Sequence, residues 1–231
     1  MGPLALVGSG EYTPAMLEVE AALLEGRPPR YVQIPTAASA EGEARMRYWV
    51  GLGRAQAERL GVTAVPLDVR TREQAADPAI VDQVAGAGLI YLSGGSPTLL
   101  ARTLLDTPLW SAIVAAWEGG AALAGCSAGA MAMADHVPDI RHPRRGGEQG
   151  LGLLPHIRVL PHFDRMLGWA PDVLTRPFFR DTERHVVGVD ENTAIVGGPE
   201  TFIVQGRQSA WLLSDGKRRQ FKPGEEIVLS R

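Results

Sequence analysis

The stretch "AALAGCSAGAMAMA", residues 121–134, decides how this chain folds. A run of small apolar residues enters Gly125-Cys126-Ser127-Ala128-Gly129, and a second small-residue run leaves it. The first suits a buried strand and the second a helix, so the glycines mark a strand-to-helix turn. A plain handover between the two elements would use the same glycines. The strand-and-helix setting favours a nucleophile elbow, in which flanking glycines relieve crowding and the apex hydroxyl stands clear of the sheet. Ser127 is then the candidate nucleophile. The Ala128 N–H, free at a helix N-terminus, is positioned to stabilise a developing oxyanion. Cys126 stands one place before the apex, where strand alternation turns its side chain away into packing.

Working outward, further short apolar runs at 3–8, 31–35, 62–67, 88–95, 157–161 and 185–190 predict strands. Between the earlier ones lie helical patterns at 14–26, 43–61, 78–86, 97–105 and 108–120. Such alternation argues for an α/β fold of three layers, a mostly parallel sheet with helices on both faces. After about residue 185 strands follow one another through tight turns, which predicts an antiparallel C-terminal extension at the sheet edge. No repeat or linker interrupts the pattern, so residues 1–231 are expected to form one domain.

Composition narrows the function classes. With 45 % hydrophobic residues the 231-residue chain can bury a large core, and a net charge of −3 gives no reason to expect nucleic acid. Only Lys217 and Lys222 are lysines among 23 cations, so any arginine cluster must be discounted for that bias. One cysteine forms no internal disulfide, and "MGPLALVGSGEY" has neither a basic leader nor a long apolar span. The expectation is a cytoplasmic protein away from membranes, with a homodimer left open.

The remaining site candidates follow from strand ends. "YLSGGSPTLL" ends a strand at Ser93, turns through Gly94-Gly95 and caps a helix with Ser96-Pro97. An ordinary loop explains those residues equally well. Their place on the same sheet edge as Ser127 makes the Gly95 N–H the second candidate oxyanion donor and puts Ser96 near substrate. Among five histidines, His136, His142 and His156 fall in loop-like sequence, and His185 opens a strand at the opposite edge. His162, in "IRVLPHF", follows a strand's carboxyl end, where open α/β sheets assemble their sites, and is the candidate base. "HVVGVDE" delivers Asp190 or Glu191 to that edge, and the sequence leaves the two nearly tied. The order serine, histidine, acid differs from that of α/β-hydrolases, where the acid precedes the histidine.

"GSGEY" lacks the third glycine of a dinucleotide fingerprint, Thr13 standing in its place. It reads as a turn before a helix that Thr13 caps; Glu11 could face the site, although most glutamates in such loops are solvated. There is no H-E-x-x-H and no Cys/His cluster at ligand spacing, so neither metal nor cofactor is expected. Residues 141–180 hold arginines at 141, 144, 145, 158, 165, 176 and 180 against the acids Glu148, Asp164 and Asp172. Guanidinium groups bind carboxylates in paired geometry, so this span predicts an acidic group on the substrate, with Arg165 its first reader.

Four motifs, "SGGSPTLL", "GCSAGA", "LGLLPHIRVLPHF" and "GVDENTAIVGG", together resemble the serine peptidase family of aspartyl dipeptidase (peptidase E) and cyanophycinase. That family has a class I glutamine amidotransferase-like fold. The resemblance implies a Ser127–His162–Glu191 triad, selects Glu191 over Asp190, and makes Gly95 and Ala128 the oxyanion donors. Amidotransferases of this fold carry cysteine at the elbow, so Ser127 weighs against glutamine chemistry. Two departures concern specificity. Cyanophycinase-like sequences have Asp-Gln both before the histidine and after the double glycine, where this chain has Leu160-Pro161 and Ser96-Pro97. The expected function is a serine peptidase acting on dipeptides or short acidic peptides. The alternatives are an esterase or amidase with the same triad, or a catalytically silent binding module.

Overall fold

Five short apolar runs, each too short for a helix, line up in parallel as the predicted sheet. They are β1 (Leu4–Val7), β2 (Arg30–Ile34), β3 (Thr63–Pro66), β4 (Leu89–Leu92) and β5 (Ala122–Cys126). The computed structural model describes residues 1–138, 147–166, 184–214 and 217–230. A two-stranded ribbon follows, β6 (His136–Pro138) with β7 (Gly147–Gln149), so His136 sits on a strand rather than in the expected loop. Then come β8 (Ile157–Leu160), β9 (His185–Val189), β10 (Thr193–Gly197), β11 (Thr201–Gly206), β12 (Ala210–Ser214), β13 (Lys217–Phe221) and β14 (Glu226–Val228). The described helices are α1 (Leu17–Leu24), α2 (Glu43–Leu60), α3 (Arg72–Ala75), α4 (Pro78–Val81), α5 (Pro97–Leu104), α6 (Pro108–Glu118), α7 (Ala128–Ala132) and α8 (Phe163–Met166).

The main sheet runs β14-β11-β10-β1-β5-β4-β2-β3, with β10, β11 and β14 antiparallel beyond β1. Strand alternation divides its buried residues between two cores. Leu6, Ile34, Ile90 and Leu123 pack with Leu100 and Leu104 of α5 and Ile113 of α6. Ala5, Tyr31, Leu89 and Tyr91 point the other way, onto Val19 and Leu23 of α1 and Ala57 of α2. Each fully buried aliphatic side chain contributes roughly 1.5–3 kcal/mol against leaving it in water. Helices therefore cover both faces, as expected.

Local sequence also sets the helix ends. Ser96 and Thr107 accept hydrogen bonds from Leu99 N–H and Trp110 N–H at the starts of α5 and α6, each followed by proline at the first helical position. Gly61 ends α2 in the left-handed conformation, at φ +69°. Thr13 does not cap as expected. Its hydroxyl donates to Gly10 O, and a 3₁₀ turn at 14–16 precedes α1.

The largest departure from expectation is in the sheet. Strands β8 and β9 do not extend the main sheet; they form a second sheet in the order β13-β12-β9-β8. They pair in parallel, Ile157 opposite His185, while β12 and β13 join antiparallel. Val159, Val187 and Val189 of this sheet share the core of α5 and α6, and Phe163, Leu160 and Leu213 pack in a separate cluster. Apolar alternation dictates which side chains are buried but not which strand is the neighbour.

Candidate active site

The elbow has the predicted form. β5 ends at Cys126, α7 begins at Ala128, and Ser127 between them has φ +49° and ψ −105°. That backbone is costly for a residue with a side chain, and it persists because the surroundings fix it. The Ser127 N–H donates to Val7 O at the end of β1, and Ser127 O accepts from Met131 N–H. The two glycines are required by contact. A Cβ on Gly125 would lie 2.6 Å from the Gly129 carbonyl carbon, and one on Gly129 would lie 2.3 Å from Leu92 O. The G-x-S-x-G pattern thus lets the turn close on itself and on β4.

The loop after β4 lies beside this apex, since a Cβ on Gly94 would come 3.6 Å from the Ser127 Cβ. Gly95 has φ +137° and is exposed, its backbone held against Ala37 O. Among the described residues its N–H meets no hydrogen-bond acceptor. The Ala128 N–H, first in its helix, has no intrahelical acceptor.

The second sheet supplies the imidazole and the carboxylate. His162 follows β8 at φ +51°, with its Nε2 3.2 Å from Ser127 Oγ. Its Nδ1 lies 3.0 Å from Glu191 Oε1, just past β9. A carboxylate only accepts, so Nδ1 carries the proton and Nε2 is left to accept from the serine hydroxyl. Glu191 is fixed in turn: its N–H donates to Asp164 Oδ1, and Gln208 Nε2 donates to both Asp164 Oδ2 and Glu191 O. Asp190 points away. Its carboxylate accepts from Trp211 Nε1 and Ser209 N–H, and burial raises its pKa above the ordinary carboxylate value. Adjacent residues face opposite sides, and Glu191 is the one that meets His162.

The two expected substrate contacts each have partners within the chain. Arg165 places Nε 3.0 Å from Glu191 Oε2, with its side chain 74 % exposed, so its charge is shared with the carboxylate behind His162. The Ser96 hydroxyl accepts from Leu99 N–H and pairs with Thr98 Oγ1, a helix-capping position. His156 Nε2 meets Pro199 O and His185 Nε2 meets Ser230 O, both away from Ser127. His142 and the arginines at 141, 144, 145, 176 and 180 lie outside the described residues. Among the described residues no three His, Cys, Asp or Glu side chains are grouped to hold a metal ion, and no single helix is long and apolar enough to cross a membrane.

Sequence reasoning missed the partners of Glu11, which is half-buried: Oε1 accepts from Gly94 N–H at 3.0 Å, and Oε2 accepts from the Cys126 thiol at 2.7 Å. Burial, and then the negative charge of Glu11, push that thiol well above its usual pKa, so it stays a neutral S–H. Asp164 and Gln208 were also missed. The residue types of "GSGEY" allowed a site-facing glutamate, but nothing in the sequence names partners 83 and 115 residues away.

Comparison with known proteins agrees with this architecture. A cyanophycinase from Nostoc sp. (strain PCC 7120) is 32 % identical over 151 residues, covering 60 % of this chain and 49 % of that protein. The chain therefore spans about half the length of that relative. The crystal structure of a peptidase from an acI-B1 actinobacterium superimposes with a TM-score of 0.89 at 42 % identity, over 99 % of this chain and 97 % of the other. A Listeria monocytogenes EGD-e chain provisionally named a peptidase E shares the fold at a TM-score of 0.65 and 21 % identity, over 90 % and 100 % of the two chains. The model of peptidase family S51 matches residues 4–204, from β1 into β11, and the chain belongs to that family.

Proposed function

We propose that this chain is a serine peptidase acting on short peptides through an acyl-enzyme, with Ser127 as nucleophile, His162 as base and Glu191 as the acid behind it. The observation that carries the reading is the continuous contact from Ser127 Oγ to His162 Nε2 (3.2 Å) and from His162 Nδ1 to Glu191 Oε1 (3.0 Å). Membership of peptidase family S51 supports the same chemistry. In the first half-reaction Ser127 Oγ bonds to the scissile carbonyl carbon as its proton passes to Nε2. The carbonyl oxygen becomes an oxyanion between the N–H groups of Gly95 and Ala128. The C–N bond then breaks, Nε2–H protonates the leaving amine, and the acyl group stays on Ser127. Water repeats the sequence, with His162 as base again, to release the acid. Glu191 keeps Nδ1 protonated and stabilises the imidazolium in both halves.

Substrate character is the finer part of the proposal. Dipeptides or short peptides with a carboxylate near the scissile bond are the class, and Arg165, beside Glu191, is the cation that reads it. A fluorophosphonate probe tests the chemistry. The wild-type chain is expected to take the label on Ser127, S127A to lose it, and C126A to keep it. A labelled S127A protein, or an unlabelled wild type, overturns the assignment. A dipeptide library then separates peptidase from esterase or amidase activity.

A further inference from the structure

We propose that Glu11 is a positioning residue that sets the second oxyanion donor in register with the nucleophile. This rests on the serine-hydrolase reading above. The geometry is a staple between two chain segments distant in sequence. One carboxylate oxygen holds the Gly94 N–H, directly before the Gly95 N–H assigned to the oxyanion, and the other holds the thiol of Cys126, directly before Ser127. The two donors belong to loops on different strands, so their separation is not fixed by any one turn. A single carboxylate spanning both segments fixes it.

The staple is itself anchored. Tyr12, next in the chain, stands at φ +61°, its hydroxyl is bonded to Ser93 Oγ, and its carbonyl accepts from Arg59 Nη2 at 2.7 Å. Residues 11 and 12 together therefore hold positions 93, 94 and 126. Of five described non-glycine residues at positive φ, four border this region: Tyr12, Ser127, His162 and Asn192, whose N–H donates to Ser9 O. Such strain persists where surrounding contacts over-determine the backbone, and it concentrates at active sites. The Gly94 N–H, occupied by Glu11, is also withheld from the substrate oxygen, leaving Gly95 as that loop's donor.

Loss of one oxyanion donor costs about 10²–10³ in rate, and misplacement by about 1 Å costs up to about 10². The test is the second-order rate of fluorophosphonate labelling and kcat for p-nitrophenyl acetate, per folded enzyme. E11A is expected to lower both by about 10–100-fold with KM within about twofold. E11Q is expected to recover to within about threefold of wild type, because its amide oxygen still accepts from Gly94 and its N–H₂ can donate to sulfur. E11D, one methylene short of spanning both partners, is expected to be slow. It carries the same test should E11A not fold. Wild-type rates in either E11A or E11D, or a loss in KM alone, overturn the positioning role while leaving the triad standing. E11Q as slow as E11A also overturns it. An unlabelled wild type would instead remove the hydrolase reading and this inference together.

Discussion

The two halves of the site are built on different terms. The half with the proposed nucleophile lies on the main sheet, where Ser127, Ala128 and the Gly94–Gly95 loop emerge from neighbouring parallel strands in register, Leu92 opposite Gly125 and Val7 opposite Cys126. Its geometry is close-packed backbone, with Gly125 against Gly129 and Gly129 against Leu92. The half with the proposed base and acid lies on the second sheet and is held by side chains: His162 on Glu191, Glu191 on Arg165, and Asp164 and Gln208 behind. The first half gives way abruptly, because backbone contacts have no slack. The second should respond in steps, one hydrogen bond at a time.

The largest effect expected is in S127A, whose turnover should fall by about 10⁶ while its melting temperature stays near wild type. Steady-state hydrolysis beside a thermal melt checks it; a fall of less than about 10³ would break the distinction between the halves. In the second half E191Q should lose about 10⁴ in kcat, the scale set by removing the acid of such a triad. D190N should instead keep turnover within about tenfold, because the Asp190 carboxylate meets Trp211 and Ser209 rather than His162. Activity that survives E191Q and vanishes in D190N would exchange the two roles.

A buried carboxylate beneath the main sheet separates stability from chemistry. Glu20 of α1 is 1 % exposed, its Oε2 accepts from Tyr31 OH, and burial pushes its pKa from 4.5 up to about 7. Between those values the folded state binds the proton that the unfolded state has released, so stability falls as pH rises from 4.5 through 7. Above that window the full penalty applies, about 3 kcal/mol at most. E20Q should therefore be the more stable protein at pH 8 and lose that advantage at pH 5. Denaturant melts at the two pH values check this, and a parallel offset at both would refute it.

The smallest effect concerns charge at the mouth. Arg165 shares its cation with Glu191, so acidic and neutral dipeptides should differ by less than about tenfold in kcat/KM, and by less still in high salt. Assays at two ionic strengths read the difference. A gap of a thousandfold would place the specificity elsewhere than Arg165.

What could be read from the sequence follows the same division. The elbow, the double-glycine loop and the helix caps are local patterns, so residues 92–97 and 121–134 fold as their spacing says. His162 and Glu191 are legible as candidates because both follow apolar strands, although those strands belong to a sheet the alternation did not separate from the first. Only the family resemblance chose Glu191 over Asp190. The partners of Glu11, Asp164 and Gln208 carried no signal, since each is held by hydrogen bonds to residues far along the chain, and such pairings leave no periodicity behind.

The backbone at Ser127 carries one more consequence, for heredity. At φ +49° a residue branched at Cβ meets its own main chain, so threonine is shut out although it bears the same hydroxyl. Cysteine, unbranched and nearly the same size, fits. The turn therefore filters mutations by shape before chemistry can judge them, leaving a descendant of this chain one substitution away from trading oxygen for sulfur without relaying a strand.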